Sequence, residues 1–231
     1  MAIYAIGDLH LSGNPPTKPM TIFDPKWENH WNKVKEYWKN TVTDQDLVIL
    51  CGDISWAMRL EDAMEDLKEI MALPGEKIML RGNHDYWWST ASKITKATEG
   101  KIGLLQNSFF IHHNAAICGT RGWNLPSAEG FTTEDSVIYS RELMRFETSL
   151  RSAKAAGFNT LIAALHYPAL YTGEEDSGFA SLCEKYQVKT CIFGHIHGED
   201  AKEIFQGEKN GTSYKLVAAD FLDFKLLELY S

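Results

Sequence analysis

Residues 191–198 read CIFGHIHG, so that two histidines stand two positions apart directly after an apolar run. In an extended segment residues i and i+2 point to the same side, and His195 and His197 would therefore share a face. Neutral imidazole is the commonest metal ligand in proteins. The pair allows two interpretations: a metal site at the end of a buried strand, or a surface turn with two solvated histidines.

Four other apolar runs are followed by polar side chains in the same way. The run at 2–6 precedes Asp8 and His10, the run at 47–51 precedes Asp53, the run at 77–81 precedes Asn83, His84 and Asp85, and the run at 160–165 precedes His166. In α/β sheets, ligands bind at the carboxyl ends of the strands. We therefore expect these strand ends to bring together Asp8, His10, Asp53, Asn83, His166, His195 and His197.

The chemistry of this set points to a metal site, although each member has a structural alternative. The donors are imidazoles, carboxylates and one amide oxygen, a mixture that suits Zn, Mn or Fe and is unlike a thiolate-built structural zinc site. Seven ligands are too many for one tetrahedral ion and suit a pair of ions bridged by a carboxylate. Taken singly, Asp8 and Asp53 fit turns or helix caps, Asn83 fits a turn, and His166 fits a buried structural histidine.

The order of the blocks narrows these alternatives. The chain contains D-x-H, GD, GNHD, a lone histidine and GHIH in sequence, from Asp8 to His197. This ordered set resembles the five-block signature of the calcineurin-like metallophosphoesterases. The resemblance implies an α/β fold, a four-layer αββα sandwich with a dinuclear metal centre at one end.

Carried over residue by residue, the resemblance implies a role for each predicted site residue. One divalent ion (Mn, Fe or Zn) is held by Asp8, His10 and His197; the second is held by Asn83, His166 and His195; and Asp53 bridges the two. His84 is the expected catalytic residue beside the metals, where it acts on a phosphoryl or leaving-group oxygen. Asp85 is expected to orient the imidazole of His84 or, alternatively, to cap the following segment.

The implied function is a metal-dependent phosphoesterase in which a hydroxide activated by two metals cleaves a phosphomonoester, a phosphodiester or a pyrophosphate bond. The alternative is a catalytically weak, metal-stabilised scaffold of the same fold that binds a partner protein. Protein phosphatases of this superfamily extend the second block to GDxVDRG, whereas this chain reads GDISWAM. Trp56 and Ala57 thus replace an acid and a phosphate-clamping arginine, which argues against a protein phosphatase.

Composition limits the partners. The 231 residues carry a net charge of −8, which argues against broad electrostatic binding of nucleic acid or anionic membranes. A small phosphorylated substrate is the expected partner. The four cysteines form no C-x-x-C pair and are expected to be buried hydrophobes. No apolar leader or membrane-spanning run is apparent, and a cytoplasmic protein is expected.

The pattern of apolar runs predicts one α/β domain over residues 1–231. Runs rich in β-branched residues, without strict alternation, indicate strands buried on both faces. Three helices are predicted between them: one opened by Asp24 and Pro25 that carries several tryptophans, one over 60–71, and one over 133–156 that ends at Gly157. Trp56, Trp87, Trp88 and Trp123 fall near the motif loops and fit either a substrate cleft or core packing.

Overall fold

The computed structural model describes residues 1–230, and these residues form two compact units. Unit 1 comprises residues 1–104 and 217–230, and unit 2 comprises residues 105–216. The strands are β1 (Ile3–Ile6), β2 (Leu47–Leu50), β3 (Glu76–Met79), β4 (Gly103–Leu104), β5 (Phe109–His112), β6 (Ala115–Gly119), β7 (Thr160–Ala164), β8 (Thr190–Phe193), β9 (Gly207–Lys209), β10 (Thr212–Leu216) and β11 (Leu227–Tyr230). The helices are α1 (His30–Thr41), α2 (Leu60–Met71), α3 (Ala91–Ala97), α4 (Thr133–Ala155) and α5 (Gly178–Tyr186).

Unit 1 is built on a sheet with the strand order β11-β1-β2-β3-β4. Neighbouring strands from β1 to β4 pair in parallel, and β11 pairs antiparallel with β1 at one edge. Every residue of β1 and β2 is buried, as expected for strands without polar alternation that are covered on both faces. The parallel arrangement places the carboxyl ends of β1, β2 and β3 at the same edge, where the predicted site loops begin.

The helices of unit 1 follow the apolar periodicity of the sequence, with one correction. In α2 the buried residues are Ala63, Asp66, Leu67 and Ile70, so that the predicted stripe faces the core. The helix predicted from Asp24 is wrong in its extent. Asp24 caps a short 3-10 turn over Pro25–Trp27, and the chain then breaks at Asn29, which has a left-handed backbone (φ 57°), before α1 begins at His30.

Unit 2 contains a sheet with the strand order β5-β6-β7-β8-β10-β9. The central strands pair in parallel, and the two edge strands pair antiparallel with their neighbours. The helix α4 begins with a capping box formed by Thr132 and Asp135, which satisfies N–H groups that have no partner inside the helix. It ends close to Gly157 (φ 92°), as the sequence predicted.

These two mostly parallel sheets with their helices confirm the predicted α/β class. The prediction of a single domain over residues 1–231 stays a prediction. Within residues 1–230, no helix combines the length and apolar character needed to cross a membrane. The four cysteines are buried, as expected. Burial raises the pKa of the Cys118 thiol to about 12. Burial also raises the pKa of the Cys51 thiol, and the negative charge of Asp8 raises it further.

Candidate metal centre

In unit 1 the loops that follow β1 and β2 are joined through their backbones. The N–H of Asp8 donates to the carbonyl of Gly52 at 2.9 Å, and the N–H of His10 donates to the carbonyl of Asp53 at 2.9 Å. Asp8, His10 and Asp53 all have positive φ values, of 58°, 47° and 50°. Such conformations are uncommon for residues other than glycine and tend to cluster at functional sites.

The ligand atoms of these three residues lie close together and out of solvent. A carboxylate oxygen of Asp8 lies within 4.8 Å of a ring nitrogen of His10, and one also lies within 4.8 Å of a carboxylate oxygen of Asp53. The Nε2 atom of His10 is 3.8 Å from Oδ2 of Asp53. Asp8 is fully buried, and Asp53 and His10 are 1% and 3% exposed. The structure thus brings these three residues together within unit 1.

The loop after β3 is held against Asp53. The N–H of His84 donates to Oδ1 of Asp53 at 2.8 Å. A Cβ atom on Gly82 would lie 2.0 Å from that same oxygen, so the close approach requires glycine at this position. Asn83 lies between these two residues in the chain, which places its backbone beside Asp53. The GNHD block is therefore bound to the GD block by contacts that need its glycine.

Asp85 makes contacts that the sequence analysis did not predict. Its carboxylate is fully buried and accepts hydrogen bonds from the N–H groups of Asp53 at 2.9 Å, Ile54 at 2.8 Å and Gly82 at 2.8 Å. The indole N–H of Trp87 donates to the same carboxylate at 3.0 Å. Asp85 therefore ties two of the motif loops together. Its expected action on the imidazole of His84 stays a prediction.

An indole lies against two predicted site histidines of unit 1. The ring of Trp56 stacks on that of His10, with centroids 4.7 Å apart and an interplanar angle of 21°, and it lies 4.5 Å from that of His84. The imidazoles of His10 and His84 are 5.8 Å apart. Of the four tryptophans left open by the sequence, Trp87 is 2% exposed and belongs to the core. Trp56 thus contacts both predicted site histidines, His10 and His84.

Unit 2 positions two of its three predicted ligands against each other. His166 follows β7 and is fully buried, and its N–H donates to the carbonyl of Arg121 at 2.9 Å. Its own carbonyl accepts the N–H of Gly194 at 3.0 Å, so the loops after β7 and β8 are joined. The rings of His166 and His195 have centroids 5.1 Å apart. His195 has a φ of 76°, and His197 lies two residues further along the same loop.

The sequence analysis missed two residues of unit 2, Tyr167 and Arg121, that lie near the predicted ligands. The centroid of the Tyr167 ring lies 4.1 Å from that of His195. The same tyrosine ring lies 5.2 Å from the ring of Trp123. The guanidinium carbon of Arg121 lies 4.4 Å from the centroid of Trp123. A cavity of about 590 Å³ includes Ile196, the residue between the two histidines, in its lining. Only the adjacency of Tyr167 to His166 in the chain offered a signal for these contacts.

The chain belongs to the calcineurin-like phosphoesterase family, whose model matches residues 1–199. Among solved structures it is similar to the protein TT1561 of Thermus thermophilus, with a TM-score of 0.56 and 13% identity over 99% of this chain and 97% of that chain. It is also similar to the calcineurin-like phosphoesterase YfkN from Bacillus subtilis, with a TM-score of 0.51 and 12% identity over 94% of this chain and 80% of that one. At these identities the likeness shows the fold alone. A search among proteins of curated function gives no match.

Proposed function

We propose that this protein is a metal-dependent phosphoesterase that hydrolyses a phosphomonoester, phosphodiester or pyrophosphate bond of a small substrate. The observation that carries the proposal is the buried group of Asp8, His10 and Asp53 in a chain of the calcineurin-like family. Metallophosphoesterases bind and activate their substrates with divalent metal ions. A buried set of carboxylate and imidazole donors is the kind of ligand set that binds such ions.

The residues present fit a divalent ion. Two carboxylates, those of Asp8 and Asp53, are buried with oxygens within 4.8 Å of each other. Like charges so close in a buried site are costly, and a cation between them offsets that cost. The imidazole of His10 adds a nitrogen donor at the same place, which favours Mn, Fe or Zn over Ca or Mg.

The proposal assigns the ligands in the order of the family's blocks. Asp8, His10 and His197 hold one ion, Asn83, His166 and His195 hold the other, and Asp53 is shared. When bound, a pair of divalent ions supplies hydroxide at neutral pH and neutralises charge on the phosphoryl oxygens. The burial of Asp8, Asp53 and His166 supports this assignment, because a ligand shielded from water loses less of its charge interaction to screening.

Three further residues, His84, Asp85 and Trp56, transfer a proton or hold other site residues in place. His84 transfers a proton to the leaving-group oxygen, since its imidazole lies 5.8 Å from that of His10 and its backbone N–H donates to Asp53. Asp85 holds the loops that carry Asp53 and Gly82. Trp56 limits the movement of the His10 and His84 rings by contact with both.

A cytoplasmic location and a phosphorylated small molecule as the sole class of partner complete the proposal. Four buried cysteines that form no disulfide within residues 1–230 are typical of a protein kept in a reducing compartment. The net charge of −8 disfavours nucleic acid as a substrate. A phosphate held by metal ions does not require a positively charged protein surface.

The test begins with metal analysis of the purified protein, followed by assays with nitrophenyl phosphate, bis(nitrophenyl) phosphate and pyrophosphate in the presence of Mn²⁺. We expect turnover that a chelator abolishes and that Asp53→Ala removes together with bound metal. The control is Asp44→Ala, which changes an exposed aspartate of the same unit. Metal binding without turnover of any of the three substrates would instead support the scaffold alternative, and a protein that binds no metal would overturn both.

A further inference from the structure

The segment that precedes the 3-10 turn at Met20 contacts the ring of Trp56 through Lys18. The ammonium of Lys18 is 3.1 Å from the centroid of the Trp56 ring, a close cation–π contact. The imidazole of His10 stacks on the same ring at 4.7 Å. An ammonium and an imidazole at these distances would collide on one face of the indole. Lys18 and His10 therefore occupy opposite faces.

The loop that carries Lys18 is closed and fixed to α2. The hydroxyl of Ser12 accepts the N–H of Lys18 and donates to its carbonyl, both at 3.1 Å. The N–H of Gly13 donates to Oδ1 of Asp66 at 2.9 Å, and the hydroxyl of Ser55 donates to Oδ2 of Asp66 at 2.5 Å. Since Ser55 precedes Trp56, one buried carboxylate of α2 sets the position of both the loop and the indole.

Among the described residues, Lys18 makes no ion pair, although the chain has 31 acidic and 23 basic side chains. Its side chain is exposed, so the ammonium keeps donors free for a ligand while one side rests on the indole. An exposed cation–π contact contributes only about 0.5–1 kcal/mol. It orients the ammonium without competing strongly with an anion.

We propose that Lys18 is a specificity residue that binds a second anionic group of the substrate, distinct from the phosphoryl group being cleaved. The indole of Trp56 stands between the ammonium and His10, which places Lys18 out of contact with a group held at His10. A substrate that reaches it must extend past the edge of the indole. The class of substrate that fits is one with two phosphoryl groups, such as a sugar bisphosphate or a compound with a pyrophosphate group.

This inference rests on the proposed function for its site and goes beyond it in naming the substrate class. It also explains how the protein could bind phosphate although the second block has Ala57, and so no cation, at the position of the phosphate-clamping arginine. In this protein the cation, Lys18, comes from a loop that lies 34 positions before the first residue of the block, Gly52. It is held in place by Trp56, which belongs to the block itself.

The test compares ligands that differ by one phosphoryl group in the full-length, metal-loaded protein. Lys18→Gln removes the charge, Lys18→Arg keeps it, and Lys33→Gln is the matched control, since the Lys33 ammonium also lies over an aromatic ring, that of Phe224 at 5.0 Å. Kinetics are measured with a sugar monophosphate and the bisphosphate of the same sugar, with nitrophenyl phosphate as reference. Calorimetry measures binding of orthophosphate and of a nonhydrolysable bisphosphonate, which requires no turnover.

We expect Lys18→Gln to weaken the bisphosphonate and to raise KM for the bisphosphate by about tenfold, the loss of one charge-assisted contact. Binding of orthophosphate and kcat on nitrophenyl phosphate should stay within about twofold, and Lys18→Arg should retain most of the affinity. Equal losses on both ligands, or none on either, would overturn the inference. If the wild-type protein cleaves no ester, the proposed function fails by itself, and the calorimetric comparison still decides the role of Lys18.

Discussion

The backbone N–H of His84 donates to Asp53 at 2.8 Å, while its imidazole lies 4.5 Å from the ring of Trp56 and 5.8 Å from that of His10. The backbone and the side chain of this one residue therefore meet different partners. Its neighbour Asn83 is the expected metal ligand, and the side chains of adjacent residues point in different directions. At the residue scale this division favours proton transfer, and not metal binding, for His84.

Replacing His84 with alanine should leave the metal content unchanged and lower turnover by about 10²–10⁴-fold, the usual contribution of a positioned acid or base. The loss should be smaller for a nitrophenyl ester than for an alkyl ester, because nitrophenolate leaves without a proton. Metal analysis and the two rates check this, with His113→Gln as a control at an exposed histidine outside the motif blocks. Loss of one equivalent of metal would make His84 a ligand, and equal losses on both esters would remove its role as an acid.

At the scale of elements, the site depends on loops at the ends of β1, β2 and β3 that are bound to one another. Asp85 accepts N–H groups from two of these loops and the indole of Trp87. A charged carboxylate that accepts several hydrogen bonds in a buried position is hard to replace, because each N–H would lose its partner. The strained backbones of Asp8, His10 and Asp53 need such anchoring to persist.

Asp85→Asn should lower the free energy of unfolding by about 2–4 kcal/mol, because the amide offers one acceptor oxygen and turns an NH₂ group toward N–H donors. Denaturant unfolding in the absence of metal measures this effect separately from ligand binding. Asp44→Asn, at an exposed position of the same unit, serves as the control. A change below about 0.5 kcal/mol would show that the loops hold together without this carboxylate.

The start of β1 depends on a second carboxylate whose effect should vary with pH. Burial raises the pKa of Asp46, but hydrogen bonds from Thr43 and from the N–H of Ala2 outweigh it and the pKa is lowered overall. The folded state then binds the proton more weakly than the unfolded state. The stabilisation by Asp46 is therefore fully present above the ordinary pKa of aspartate and is lost as the pH falls through the lower, folded-state value.

Asp46→Ala should thus cost about 1–3 kcal/mol of unfolding free energy at neutral pH, since the N–H of Ala2 at 2.6 Å and the N–H of Thr43 at 2.8 Å lose their acceptor. The difference between variant and wild type should shrink below about pH 4. Unfolding curves at several pH values in metal-free buffer measure it. A difference that stays constant into acid would show that the charge of Asp46 plays no part.

At the scale of the whole molecule, bound metal should stabilise the fold, because the ligand set forms only in the folded chain. At a free metal concentration 100 times Kd, the stabilisation is about 2.7 kcal/mol. We expect Mn²⁺ to raise Tm and a chelator to lower it in the wild type and in His84→Ala, but not in Asp53→Ala. Differential scanning calorimetry provides the measurement. An equal response of the Asp53 variant would place the metal elsewhere in the protein.

The sequence by itself determined the elements whose signals are local. Apolar runs predicted β1, β2, β3, β7 and β8 within a residue or two at each end. Gly157 marked the end of α4, and the helix predicted over 60–71 is α2, whose apolar residues face the core. The family was also visible in the sequence, because its ligands directly follow strands and their order along the chain is preserved.

Only the tertiary structure decided how the loops between these elements are held. The helix predicted from Asp24 breaks at Asn29, and His30 then bonds the carbonyl of Leu9, 21 positions away. Asp85 contacts the backbone of Asp53 across 32 positions, and Lys18 rests on Trp56. Periodicity, caps and turn residues report interactions within a few positions of the chain, whereas these contacts join loops that meet only after the strands have paired. The expected ligands could therefore be named from the sequence, but the groups that contact them depend on the folded chain.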